Sequence, residues 1–268
     1  MLTTIREQTA EASSSCGRED RLAHIVDAVN HGRFISLRDI ANRFGVNIQT
    51  ARRDIDLLAE RKLVTRVYGG AVQPEAEDAL AVEDRLGIRD SEKRRIAELA
   101  ASFIQDGDVI FLDGGSTTAY LPQHILDKRI LVVTNAVSLA EPLKRGWPNL
   151  EVIVTGGYYY PKDELLLGPP ALKTIQDVQI NKVFLSAAGV TAQGVFNSNM
   201  LVVELERAVI AQAMETYLLV DPSKLGRTSL VRVCGFEDID KLVTIGQVPE
   251  VITDAAKSGN CSVHACTM

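Results

Sequence analysis

Nowhere in its 268 residues does this chain carry an uninterrupted apolar run of about eighteen residues, the length that reads as a membrane-spanning helix. The opening stretch, Met1 to Ser15, is polar and lacks the apolar core of a secretory signal, so a cytoplasmic location and no membrane contact are expected. Cysteine is scarce: four residues, at 16, 234, 261 and 266, are too few and too scattered for a disulfide framework. Cys261, His264 and Cys266 lie close in sequence. Three ligands in a terminal tail still fall short of the four that a structural zinc takes, so neither metal nor cofactor is expected. Positive charge is the minority sign, 29 Lys and Arg against 35 Asp and Glu, for a net charge of −6. That balance excludes a uniformly basic body that would coat nucleic acid.

The basic charge that is present is concentrated. Residues 31–72 hold eight Lys and Arg against four Asp and Glu, a net +4 on an acidic chain, which suits contact with DNA phosphates through one end only. Within this stretch Asn47 is a good N-cap, and Ile48, Ala51, Ile55 and Leu58 recur at helical spacing as a buried stripe. Gln49, Thr50 and Arg53 then point away from the stripe, with Arg52 on its flank. Amide, hydroxyl and guanidinium groups in the first turns of a helix are what base edges and phosphates accept. On this helix alone, a solvated amphipathic helix explains the pattern equally well.

The preceding residues favour the DNA reading. Leu22, Ile25, Val26 and Val29 form the stripe of a first helix. Ser36-Leu-Arg-Asp39 has the form of a capping box opening a second helix, which carries Leu37, Ile40, Ala41 and Phe44 and stops at Gly45. Gly45-Val46-Asn47 is then the tight turn of a helix-turn-helix. Leu63 to Tyr68 alternates like a strand and ends in Gly69-Gly70. A second strand at Ala71-Val72 would complete a wing that presents Arg66 and Tyr68 to DNA.

Residues 19–72 resemble the N-terminal domain of the DeoR family of bacterial transcriptional regulators. The resemblance rests on Ile40-Ala41, Phe44-Gly45-Val46, Thr50-x-Arg-Arg-Asp54 and Arg66-Val-Tyr-Gly-Gly-Ala71. It implies double-stranded operator DNA as a partner.

Beyond the wing, short apolar runs alternate with helical stretches, the pattern of a mostly parallel sheet covered by helices. The runs end in small polar residues: Asp113-Gly-Gly-Ser-Thr-Thr118, Thr134-Asn135, Thr155-Gly-Gly157, Ser186-Ala-Ala-Gly189 and Asp221-Pro-Ser-Lys224. In parallel sheets ligands sit beyond the carboxyl ends of strands. These ends would line one crevice with small donors and a single cation, Lys224, suited to a phosphorylated, hydroxyl-rich molecule. Ser116, Thr117 and Thr118 are expected to open a helix whose free N–H groups attract an anion. No Gly-Lys-Ser/Thr follows, so this is not a Walker loop. An ordinary strand-to-helix turn remains the simpler alternative.

Glu92-Lys93-x-x-Ile-Ala, Asp113-Gly-Gly-Ser-Thr, Val133-Thr-Asn135, Gly156-Gly157, Leu167-Gly168, Asp221-x-Ser-Lys-x-Gly226 and Ile252-Thr-Asp254 extend the DeoR resemblance over residues 91 to about 254. It implies a Rossmann-like α/β domain similar to the sugar-phosphate isomerase fold, sensing a phosphorylated sugar or related metabolite. It also implies effector contacts at Asp113, Gly115, Ser116, Thr117, Thr118, Asn135, Gly157 and Lys224. One departure stands out: where the family usually has Glu and then Lys four positions later, this chain has Val202 and Glu206.

The expected organisation is therefore an arm over 1–18, a winged helix-turn-helix over 19–73, a linker over 74–90, an effector-binding α/β domain over 91–256 and a tail over 257–268. The expected function is a homo-oligomeric repressor of carbohydrate catabolism genes, not an enzyme. The alternative is an isomerase-like enzyme fused to a DNA-binding module, which would need a positioned acid or base. Related isomerases carry Gly-Ala-Asp-Glu after a central strand, whereas Ser186-Ala-Ala-Gly189 has no acid. His24, His31, His124 and His264 all fall away from the strand ends.

Overall fold

The computed structural model describes residues 18–30, 35–61, 63–67, 70–72 and 81–267. They fall into two compact units, Met1–Ala79 and Leu80–Met268.

In the first unit, helix α1 (Arg18–Asn30) is followed by strand β1 (Ile35–Ser36), helices α2 (Leu37–Phe44) and α3 (Ile48–Glu60), and strands β2 (Thr65–Val67) and β3 (Gly70–Val72). The local signals act as anticipated. The Ser36 hydroxyl accepts from the Asp39 N–H at 3.0 Å and the Asp39 carboxylate accepts from the Ser36 N–H, closing the capping box of α2. Gly45 ends that helix at φ 62°, and the Asn47 side chain accepts from the Thr50 N–H at 2.8 Å to open α3. β2 and β3 pair antiparallel as the wing, and β1, which the alternation does not reveal, adds a third strand on β3. Ile25, Val29, Ile40, Ala51, Ile55 and Leu58 close the core. Ile48 departs from its expected place in that stripe. As the first residue of α3 it precedes the first turn that reaches the core, and it is 46% exposed.

Asp54, on the stripe side of α3, is buried with Arg21 of α1. The Arg21 Nε donates to the Asp54 carboxylate at 2.6 Å, and Arg18 approaches it at 3.5 Å. This ion pair joins the first helix to the third.

The second unit begins with α4 (Val82–Leu86) and α5 (Asp90–Ala101). It continues through β4 (Val109–Leu112), β5 (Ile130–Thr134), α6 (Val137–Leu143), β6 (Leu150–Val154), β7 (Tyr158–Tyr160), β8 (Leu165–Leu167), α7 (Pro169–Asp177) and β9 (Lys182–Leu185). Next come β10 (Gly189–Thr191), β11 (Gly194–Asn197), α8 (Met200–Gln212), β12 (Glu215–Leu219), β13 (Val231–Cys234), β14 (Lys241–Ile245), α9 (Glu250–Ser258) and β15 (Ser262–Cys266). Seven strands form one all-parallel sheet in the order β15-β14-β12-β9-β4-β5-β6. Apolar clusters pack on both faces, as expected for strands that read as continuous apolar runs. β7 and β8 form a hairpin, and β10, β11 and β13 a small antiparallel ribbon.

Three expectations change. The segment read as a linker, with a helical part expected around residues 79–86, is helical over Val82–Leu86, and from Leu80 it belongs to the second unit, fastened by the Arg85–Asp163 ion pair and by the Val82 N–H on the Lys162 carbonyl at 2.9 Å. The tail from 257 contains β15, an edge strand along β14. There Cys261 is buried, and Cys266 Sγ lies 3.4 Å from the Arg95 carbonyl oxygen. The helix expected after Ser116 is two separate 3-10 turns, Thr118–Tyr120 and Pro122–His124. Pro122 has no N–H to continue an α-helical ladder.

Asp54→Asn should lower the stability of the first unit by about 3 kcal/mol, because it leaves the Arg21 charge buried without its counter-ion. Chemical denaturation followed by circular dichroism measures the loss. A variant as stable as wild type would mean the pair contributes nothing.

Candidate functional site

From β4 the chain runs outward to β5 and β6 on one side, then returns to β9 on the other and continues to β12, β14 and β15. The direction of winding reverses between β4 and β9, and a crevice opens beyond the carboxyl ends of such strands. The Asp113–Thr118 loop follows β4, and Ser186 follows β9. Asn135 follows β5, and Asp221-Pro-Ser-Lys224 lies beyond β12.

The loop sits tightly between its neighbours. The Asp113 N–H donates to the Phe184 carbonyl at 3.0 Å, and the Gly114 N–H to Asn135 Oδ1 at 3.3 Å. A Cβ on Gly114 would lie 2.1 Å from Leu165 Cδ2, and one on Gly115 would lie 2.1 Å from Ser186 Oγ. Glycine at these positions lets the β8 strand roof the loop while Ser186 supports it from below. Asn135 in turn holds the hairpin, its carbonyl accepting the Leu166 N–H at 2.7 Å.

Ser116, Thr117 and Thr118 are buried. The Thr118 hydroxyl donates to the Gly115 carbonyl at 3.1 Å, a local turn bond. Ser116 has the partner that sequence reasoning missed. Lys93 of α5 is fully buried, and its ammonium donates to Ser116 Oγ at 3.0 Å and to the Arg85 carbonyl at 2.7 Å. Lys224 is therefore not the single cation of the region. The signal was present in Glu92-Lys93-x-x-Ile-Ala: a lysine three and four residues before the buried Ile96 and Ala97 lies on the same, inner face of its helix.

Lys224 is 5% exposed, in the turn that Asp221 caps by accepting from the Ser223 N–H at 2.9 Å. Arg89, ahead of α5, reaches the Asp221 carboxylate at 3.9 Å, drawing this turn toward the helix that carries Lys93. Gly157 is exposed at φ 137°, with a would-be Cβ 2.4 Å from the Leu167 carbonyl oxygen, so the hairpin itself requires glycine there.

Burial pushes the Asp113 carboxyl up from an ordinary 3.8 to about 7. The Gly114 N–H opposes this shift, and the Asp163 charge adds to it. Asp113 Oδ1, Asn135 Nδ2, Thr155 Oγ1 and Asp221 Oδ2 are buried without a hydrogen-bond partner. Interior polar atoms are nearly always paired, so this concentration at adjoining strand ends marks a place prepared for a polar guest. Among the described residues no group of His, Cys, Asp and Glu could hold a metal ion. No described helix is long and apolar enough to cross a membrane.

In the first unit, Gln49, Arg52 and Arg53 are exposed on α3 and Thr50 is half-buried, all clear of the packed stripe. Arg66 lies in β2; Tyr68 lies outside the described residues.

A winged helix-turn-helix on the same chain as a parallel α/β unit with a polar crevice defines a DNA-binding transcriptional regulator with a sensor domain. The model of the DeoR-like helix-turn-helix domain matches residues 21–77, and that of the DeoR C terminal sensor domain matches residues 88–245. The chain belongs to the DeoR family. It is 31% identical to the HTH-type transcriptional regulator IolR of Bacillus subtilis (strain 168), over 88% of this chain and 94% of the relative. It is 28% identical to the glycerol-3-phosphate regulon repressor of Escherichia coli (strain K12), over 86% and 93% respectively. Among solved structures it is similar to a D-ribose-5-phosphate isomerase in complex with phospho-erythronic acid: TM-score 0.38, 19% identity, 51% of this chain and 54% of that chain.

Asp113 ties crevice chemistry to pH. The folded chain keeps a proton that the unfolded chain releases above 3.8, so stability falls as pH rises from there through about 7 and then levels off. By calorimetry the full chain should melt at a lower temperature at about pH 8 than at about pH 5, and Asp113→Asn should reduce that decline. Equal declines would mean Asp113 titrates as it does in water.

Proposed function

We propose that this protein is a homo-oligomeric, cytoplasmic repressor of carbohydrate catabolism genes that binds operator DNA and responds to a phosphorylated sugar. Gln49, Thr50, Arg52 and Arg53 read or contact the major groove. Arg66 and Tyr68 of the wing hold the phosphate backbone, which fixes register without carrying sequence information.

The effector binds in the crevice at Asp113, Gly115, Ser116, Thr117, Thr118, Asn135, Gly157 and Lys224, with Lys93 as an added contact. The observation that carries this reading is the buried Lys93 ammonium on Ser116. With so short a 3-10 turn after the loop, the attraction for phosphate comes from these lysines and the loop N–H groups, not from a helix dipole. The relative named for the glycerol-3-phosphate regulon agrees with a small phosphorylated effector and with repression.

Lys93 also suggests how the signal leaves the crevice. The same ammonium that touches Ser116 holds the Arg85 carbonyl of α4, the first helix after the segment joining the two units. Phosphate at Ser116 competes for that ammonium and changes the hold on α4. The effector shifts DNA affinity only to the extent that it binds the two states differently.

Two variants test the two halves. Arg53→Ala should cost about 1–3 kcal/mol on the preferred operator and relax discrimination at one base position. Equal weakening on operator and random DNA would assign Arg53 to phosphate contact instead. Lys93→Met keeps the buried stem and removes the charge, and should abolish any change in operator binding on adding sugar phosphates. A variant released at the wild-type effector concentration would remove Lys93 from the effector site.

A further inference from the structure

Lys93 and Arg94 are consecutive on α5 and face different ways. Lys93 is buried on Ser116, whereas Arg94 is exposed and lines a cleft on the flank of the sensor unit. The cleft, of about 240 Å³, is bounded by α5, the 3-10 turns Thr118–Tyr120 and Pro122–His124, and the end of α6. Pro122, Leu126 and Pro142 give it apolar surface. Its charged lining is two guanidiniums, Arg94 and Arg145, and no carboxylate lines it. Arg145 is exposed in the 3-10 turn Lys144–Gly146 and forms no ion pair among the described residues, while Lys144 beside it pairs with Glu141. A guanidinium presents paired N–H groups in the geometry that a carboxylate or phosphate accepts. Sites for drug-sized ligands run to about 300–1,000 Å³, so this one fits a smaller guest.

Arg94 also belongs to a polar chain that ends on α4. Its Nε donates to Asp90 Oδ2 at 2.8 Å and its Nη1 to Gln123 Oε1 at 3.0 Å, and its guanidinium lies 4.8 Å from the centre of the Tyr120 ring. The Tyr120 hydroxyl is 2.5 Å from the Leu86 carbonyl oxygen and 2.7 Å from Asp90 Oδ1. One phenolic proton therefore serves two acceptors. Leu86 is the last residue of α4. Hydrogen bonds from Arg94 and then Tyr120 hold the Asp90 carboxyl below its ordinary range, so it is ionised at neutral pH. The stronger the hold of Arg94 on Asp90, the more of the Tyr120 proton is left for Leu86.

We propose that this cleft is a second ligand site, for a small organic oxyanion: a carboxylate or phosphate monoester on a short apolar body. Arg94 and Arg145 hold the oxyanion, and Pro122, Leu126 and Pro142 cover the body. The bound oxyanion competes with Asp90 for Arg94. Asp90 then draws the Tyr120 proton away from the Leu86 carbonyl, and the end of α4 loosens. Cleft and crevice thus act on one helix through neighbouring carbonyls, Leu86 held by Tyr120 and Arg85 held by Lys93. The site does not rest on the effector reading given above.

Calorimetric titration of the full chain with benzoate and with phenyl phosphate tests the site. Acetate, inorganic phosphate and benzyl alcohol are the controls, since each lacks the apolar body or the charge. At least one of the two probes should bind wild type, and Arg145→Glu, at an exposed position, should weaken that binding tenfold or more without changing the melting temperature. The binding that Arg145→Glu removes should be at least about tenfold weaker for every control. Which probe binds more tightly identifies the oxyanion. Hydrogen exchange reads the coupling: the bound probe should speed exchange of the α4 amides in wild type. Tyr120→Phe keeps the ring under Arg94, and should bind the probe with no such change. Absence of binding by both probes, or binding that the folded Arg145→Glu variant retains, overturns the site. Exchange in α4 that is equal with and without bound probe overturns the coupling. Failure of sugar phosphates to bind would remove the effector reading and leave this inference standing.

Discussion

The buried ammonium of Lys93 is the interaction on which the sensor unit's site depends. An ammonium removed from water is costly unless its protons are taken up by acceptors. Lys93 finds acceptors in Ser116 and in the Arg85 carbonyl. One side chain thereby fixes the effector loop, α5 and α4 against one another. The hairpin that roofs the loop reaches the same helix through Asp163 and Lys162. Few residues could be moved in this cluster without disturbing the position of the first helix after the inter-unit segment.

A comparable arrangement serves the DNA-binding unit. Arg21 and Asp54 form a buried ion pair between α1 and α3, so the middle of the recognition helix is anchored by charge as well as by its apolar stripe. A helix held this way presents Gln49, Arg52 and Arg53 from a rigid platform, which keeps the ordering cost of binding low. The acidic balance of the chain and the basic stretch over 31–72 then confine attraction for DNA to one region.

The crevice combines opposed chemistries. The Lys93 ammonium and small donors gather around Ser116, while burial pushes the Asp113 carboxyl of the same loop up to about 7.

Local rules carried much of the reading. Capping at Ser36 and Asn47, the positive φ of Gly45, the wing and the strand ends at 112, 134, 154, 185 and 219–220 were legible because each is decided within a few residues. Motif resemblance added the two domains and their roles. Other features were decided only when distant segments met. Asp54 is part of the Arg-Arg-Asp motif in the sequence, but its burial against Arg21, 33 residues away, is decided by the fold. The spacing of Lys93 to Ile96 and Ala97 gives its inward face, but its acceptors, Ser116 and the Arg85 carbonyl, are known only from the fold. β15 lacks a strong apolar run because an edge strand packs on fewer neighbours, and its hydrogen bonds come from β14. The helix expected at Ser116 gave way to short turns because Pro122 interrupts the ladder. The chain by itself determined the helix-turn-helix, the parallel sheet and its polar strand ends, since those follow from periodicity, caps and charge. Which buried charges pair, and which stay open for a ligand, depends on contacts across the sheet. Only the tertiary structure decided that.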